Sequence, residues 1–172
     1  LKLMHYETCI FDLYGTLVDI HTDETLPELW EKLSLFFGYY GAFYQPEELQ
    51  TSFQQVVESM ESGQARLRTD SHEAFPEIQI ENVFQQLFVQ KNIQASEELS
   101  THTAQFFRVL STEYVRLYDG VAPMLQSLKD DGKRVYLLSN AQRVFTEYEV
   151  RALGIFPYFD GIFLSSDHGC KK

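Results

Sequence analysis

The first apolar run, Thr8-Cys9-Ile10-Phe11, leads into Asp12 and is stopped by Tyr14-Gly15-Thr16. A run this short, ended by a glycine turn, predicts a buried parallel strand. Beyond it the period changes. Leu26, Leu29, Trp30, Leu33, Phe36, Phe37 and Tyr40 recur at spacings of three and four, which marks one apolar helix face. Pro46 suits a first helical turn and precedes Leu49, Phe53, Val56, Val57 and Met60 at the same period. Ser62 to Ser71 is polar and broken by Gly63, which predicts a loop. Ile80, Val83, Phe84, Leu87 and Phe88 predict a further helix; Leu99, Phe106, Phe107, Leu110, Tyr114 and Leu117 predict another.

From Asp119-Gly120 onward the elements shorten. Val121, Met124, Leu125 and Leu128 predict a helix ending near Asp131-Gly132. Val135 to Leu138 predicts a second buried strand, ending at Ser139-Asn140. A helix follows from about Arg143 to Leu153, stopped by Gly154, and then a third strand over Gly161 to Leu164, ending at Ser165. The order is strand, helical block, helix, strand, helix, strand. It predicts the α/β class: a parallel core from residues 1–16 and 112–172, with an all-helical insert over 17–111.

Composition narrows the function classes. Apolar residues make up 44% and charged ones 23%, ordinary for a chain that buries a core, and 14 Phe with 10 Tyr predict that rings fill much of it. The 14 basic residues against 25 acidic ones leave −11, a field that repels polyphosphate backbones, and no basic stripe offsets it. Nucleic acid is therefore not an expected partner. An anionic small-molecule substrate would need local compensation from a lysine, a helix N-terminus or a metal ion. Two cysteines far apart, Cys9 and Cys170, fit a reducing compartment better than a disulfide framework. No apolar run reaches the roughly 18 residues of a membrane span, and the stretch from Leu1 to Glu7 lacks a signal-peptide core. The cytoplasm and no membrane partner are the expectations.

In open α/β sheets ligands bind beyond the carboxyl ends of the strands. Three polar signals fall there: Asp12 after the first strand, Ser139-Asn140 after the second, and Lys171-Lys172 beyond the third. Each has a plain alternative, since an Asp before Gly-Thr starts turns and a Ser caps helices. Three of them at strand tips in one sheet would converge. Asp19 to Glu24 holds metal-ligand residue types around His21 but reads better as a solvated, acidic helix start. The aromatic run Phe36 to Tyr44 reads as core, and Cys170 as a bystander thiol.

The motifs then become specific. Ile10-Phe11-Asp12-Leu13-Tyr14-Gly15-Thr16-Leu17 resembles the first motif of the haloacid dehalogenase-like hydrolase superfamily, and Leu137-Leu138-Ser139-Asn140 is similar to its second. Ser165 to Lys172 resembles the third, in which a lysine lies three residues after a glycine, here Gly169 and Lys172. The resemblance covers residues 8–22 and 118–172. It implies a Rossmann-like core with the helical insert as a cap. It implies Asp12 as a nucleophile that forms a covalent aspartyl intermediate, Tyr14 and Lys172 as further catalytic residues, and Thr16, Ser139 and Asn140 as substrate-binding residues. In phosphatase members it also implies magnesium, held by Asp12 and the main-chain carbonyl of Tyr14.

Two departures divide the chemistry. Family phosphatases carry Asp where Tyr14 stands, whereas the 2-haloacid dehalogenases carry Tyr there. Those dehalogenases in turn take the halide with an arginine early in the cap, and here none occurs between Asp12 and Arg66. The resemblance leans to phosphate monoester hydrolysis, with haloacid dehalogenation as the alternative. The family's fourth, acidic motif has no counterpart before Lys172, so the reading is of a truncated chain with its first strand at an exposed edge. On that reading it is open to self-association through that edge, and a non-catalytic role is the further alternative.

Overall fold

The computed structural model describes residues 6–67 and 77–172. Among them β1 (Thr8–Phe11), β4 (Arg134–Ser139) and β5 (Gly161–Leu164) form a parallel sheet in the order β1-β4-β5. Val135, Leu137 and Ser139 point to one face and are buried, while Tyr136 and Leu138 point to the other, as the two-residue period of a strand requires. The buried face packs on α5 (Val121–Asp130) and α6 (Arg143–Ala152) through Leu125, Leu137 and Val150, each fully buried. The other face leaves Ile10, Leu138 and Phe163 exposed. Gly161 opens β5 where an added Cβ would stand 3.0 Å from the Tyr136 ring, so a larger residue would have to push that ring aside.

The helical block consists of α1 (Pro27–Tyr39), α2 (Pro46–Leu67), α3 (Ile80–Gln90) and α4 (Glu97–Ser111). Its core is aromatic: Phe37 stacks on Phe88 with centroids 4.2 Å apart, and Trp30, Phe53, Phe84 and Phe107 interlock at 5.2–5.9 Å. Among the described residues no helix is long and apolar enough to cross a membrane.

Three local readings are corrected. The helix predicted through Leu117 stops at Ser111, and Thr112–Leu117 is a strand, β3. Leu110, Tyr114 and Leu117 fit a helical spacing, but Val115 and Leu117 also alternate with Tyr114 and Arg116, and the strand period wins because a partner strand exists. That partner is β2 (Val18–Thr22), unforeseen in the acidic segment, paired antiparallel to β3 with Val18 opposite Leu117. Third, α2 continues through Gly63 to Leu67 where a loop was expected; the rest of that expected loop, 68–71, lies outside the described residues. One glycine costs a helix only about 1 kcal/mol, which a helix of this length absorbs.

Candidate active site

The sheet register builds the site. Phe11 pairs with Leu137, and Ser139 pairs with Leu164, so Asp12, the end of β4 and the end of β5 come to one rim. Beyond β5 a short helical turn, α7 (Ser165–His168), ends at Gly169, whose φ of 62° lies in the left-handed region and turns the chain back toward β4. That return brings Lys172 Nζ to 2.8 Å from Asp12 Oδ1, and the same ammonium donates to the Leu138 carbonyl at 3.0 Å. The Lys172 backbone N–H donates to Asn140 Oδ1 at 2.7 Å. Ser139, nearly sealed from solvent, directs its hydroxyl to the Asp12 carboxylate, which also accepts from the Leu13 N–H. A cavity of about 160 Å³ borders this cluster, lined by Ser139, Asn140, Ser165, Cys170 and Lys172.

Asp12 is held in its ionised form. Partial burial opposes ionisation, but the Lys172 ammonium and the hydrogen bonds from Ser139 and Leu13 outweigh it and keep the carboxyl below its ordinary 3.8. An ionised carboxylate is the form in which such a group can attack an electrophile, and the ammonium beside it can neutralise an anion at the rim.

The structure thus brings together Asp12, Ser139, Asn140 and Lys172. It places the other two sequence candidates differently. Thr16 is exposed on the turn after β1, where its N–H closes the turn on the Leu13 carbonyl at 3.1 Å. The Tyr14 hydroxyl turns to α6: it donates to the Glu149 carboxylate and lies 3.1 Å from Thr146 Oγ1. Burial, and then the Glu149 charge, push this phenol well above its ordinary value of 10, so it stays protonated. Glu149 is in turn gripped by Arg108 of α4, Nε at 2.6 Å and the second nitrogen at 3.2 Å, and the guanidinium sits over the Phe145 ring at 4.6 Å. Nothing in the motifs singles out Arg108 or Glu149. The one sequence signal was Thr146 and Glu149, polar residues three apart on a helix whose inner face also carries Val150.

The donors around Asp12 limit what could hold magnesium. Asp12 and the Tyr14 carbonyl are two oxygens, the carboxylate faces an ammonium rather than a second carboxylate, and no cluster of three acidic, His or Cys residues occurs among the described residues. Magnesium takes six oxygens in a near-octahedral shell, several of them usually waters or substrate phosphate beside one or two carboxylates. Among the described residues Asp12 and the Tyr14 carbonyl are the donors offered, and Asp12 Oδ1 is held by the Lys172 ammonium. His21 lies exposed, 3.7 Å from Glu113 and stacked on Tyr114, with no second metal-ligating partner among the described residues.

Comparison with known sequences settles the family. The pattern of the haloacid dehalogenase-like hydrolases matches residues 6–172. The chain belongs to the haloacid dehalogenase-like hydrolases. Among curated proteins none matches the sequence. Solved structures that resemble this member of the family include a HAD phosphatase from Thermococcus onnurineus, 17% identical with a TM-score of 0.46, covering 94% of this chain and 63% of its own. The L-2-haloacid dehalogenase RSc1362 is 16% identical with a TM-score of 0.47, covering 98% and 67%. The Bacillus subtilis HAD-hydrolase YfnB, bound to magnesium, is 21% identical with a TM-score of 0.44, covering 98% and 69%. The chain thus spans about two thirds of the length of these structures.

Proposed function

We propose that this hydrolase-family chain acts on small-molecule phosphate monoesters through a covalent intermediate on Asp12. The observation that carries the reading is the ion pair of Asp12 with Lys172, flanked by the Ser139 hydroxyl at the carboxyl rim of the sheet. In the proposed reaction an Asp12 oxygen attacks phosphorus, the ester oxygen leaves with its electron pair and takes up a proton, and water then cleaves the acyl phosphate to regenerate the carboxylate. Lys172 neutralises the transferred group, and Ser139 donates to it. Asn140 has its side-chain carbonyl committed to the Lys172 N–H, so its NH2 is what it offers an anion. Magnesium, which the family resemblance implies, enters no step of this scheme.

One observation favours the second reading, 2-haloacid dehalogenation: position 14 carries a protonated phenol rather than a carboxylate able to act as base. Against it stands Arg108, a cation of the helical block that is already paired with both oxygens of Glu149. A panel of phosphate monoesters and 2-haloacids, assayed with and without magnesium, decides between them. Phosphate release is the expected outcome; chloride release without phosphate release overturns the proposal.

The acid limb of activity gives a further check. A carboxyl lowered in the folded state is ionised, and contributes its stability, above its unfolded value, and loses both only as pH falls through the lower folded value. The acid limb of kcat/KM is therefore expected below pH 3.8 in the native chain. Lys172→Met removes the ammonium that lowers Asp12 while burial still raises it, so the limb moves to higher pH. An unmoved limb in pH profiles from 3 to 7 contradicts the pairing.

A further inference from the structure

Glu77 is buried, with 9% exposure, and lies at the entry to α3. Among the described residues it pairs with no cation. Its carboxylate instead accepts from two neutral donors, the Ser165 hydroxyl at 2.7 Å and the Gln142 amide at 2.9 Å. Its N–H donates to the Gly169 carbonyl at 3.1 Å. Burying a carboxylate is expensive unless its oxygens are hydrogen-bonded, and bonds to an ionised acceptor are roughly twice as strong as neutral ones. The places these bonds reach are informative. Gln142 lies two residues beyond Asn140 on the loop after β4. Ser165 opens the return segment after β5, and Gly169 is the turn that aims Lys172 at Asp12.

We propose that Glu77 is a positioning residue for the Asp12 centre, tying the loop that carries Ser139 and Asn140 to the segment that carries Lys172. The proposal rests on the reading of Asp12 and Lys172 as the reacting centre. Neighbouring bonds complete the tie. The Ala141 N–H donates to Ser165 Oγ and the Arg143 N–H to Ser166 Oγ, each at 2.9 Å, so the two loops are laced directly as well. The Gln142 side chain reads the backbone around Glu77, accepting from the Ile80 N–H at 3.0 Å and donating to the Ile78 carbonyl at 2.8 Å. One carboxylate from the helical block therefore holds both site-bearing loops of the core. Removing it frees the return segment, and Lys172 no longer stands at a fixed distance from Asp12.

The test uses the full chain and its Glu77→Ala, Glu77→Gln and Ser165→Ala variants. Affinity for inorganic phosphate is read by calorimetry, kcat and KM with p-nitrophenyl phosphate, and amide hydrogen exchange over residues 166–172. Positioning predicts that Glu77→Ala weakens phosphate binding at least tenfold and speeds exchange of the return segment at least tenfold while unfolding remains a single cooperative transition. Glu77→Gln, which keeps one acceptor oxygen, recovers part of both. Ser165→Ala, which deletes both the bond to Glu77 and the one accepted from the Ala141 N–H, weakens binding at least threefold and judges the proposal if Glu77→Ala does not fold. A folded Glu77→Ala chain with native phosphate affinity and native exchange overturns it. If wild type binds no phosphate and Asp12→Asn leaves turnover unchanged, the reading of the centre fails, and exchange over 166–172 alone then decides the tie.

Discussion

Asp12→Asn is expected to lower phosphate release at least a thousandfold while leaving the chain folded, a loss equivalent to about 4 kcal/mol of barrier. The carboxamide matches the carboxylate in shape, so β1 and its turn are undisturbed, but a neutral amide is no nucleophile and forms no acyl phosphate. It also surrenders the 2.8 Å ion pair with Lys172. The ammonium keeps its bond to the Leu138 carbonyl at 3.0 Å, so it remains near the rim and substrate still meets a cation there. The expected signature is therefore a collapse of kcat with a modest change in KM. Phosphate release and a melting curve on the same preparation check it; a variant retaining a tenth of native kcat rules Asp12 out as the nucleophile.

Arg108→Met is expected to cost stability rather than chemistry. The Arg108 and Glu149 side chains are only 15% and 14% exposed, and they form two hydrogen bonds to each other between α4 and α6. Removing one member of a buried pair strands the other as an uncompensated charge, a loss of roughly 3–5 kcal/mol. The Tyr14 hydroxyl, already donating to Glu149, cannot supply the missing charge. Replacing both members with apolar residues of similar volume removes the stranded charge as well, so Arg108→Met with Glu149→Leu is expected near native stability. Equilibrium unfolding in urea of the two single variants and the double variant measures the coupling. Additive losses would show that Arg108 and Glu149 are not energetically coupled.

Two polar systems tie the helical block to the core. Arg108 joins α4 to α6 and to Tyr14, two residues beyond Asp12. Glu77 joins the entry of α3 to the loops of Ser139 and Lys172. Both contacts are between hydrogen-bonded polar groups, and they add bonds of defined geometry to the apolar seam in which Val144 and Phe145 of α6 pack on the block. Such bonds specify one arrangement, whereas apolar contacts tolerate sliding.

Local pattern was enough wherever an element carries its own period or punctuation. The strands β1, β4 and β5 are short apolar runs closed by polar strand ends, and Gly154 stops α6 one residue after its cap. Because the three strands run parallel, their carboxyl ends share one rim, which brings Asp12 and Ser139 together, while Lys172 joins them only through the turn at Gly169. What the fold had to decide were features whose meaning depends on a distant partner. Thr112–Leu117 carries helical and strand spacings at once, and only pairing with β2 selects the strand. The direction of the Tyr14 hydroxyl depends on Glu149, 135 positions away, and Glu77 acts on Ser165 across 88. Periodicity reports which side of an element is buried. It carries no information on which buried polar group meets which, because that is set by how the packed elements are juxtaposed.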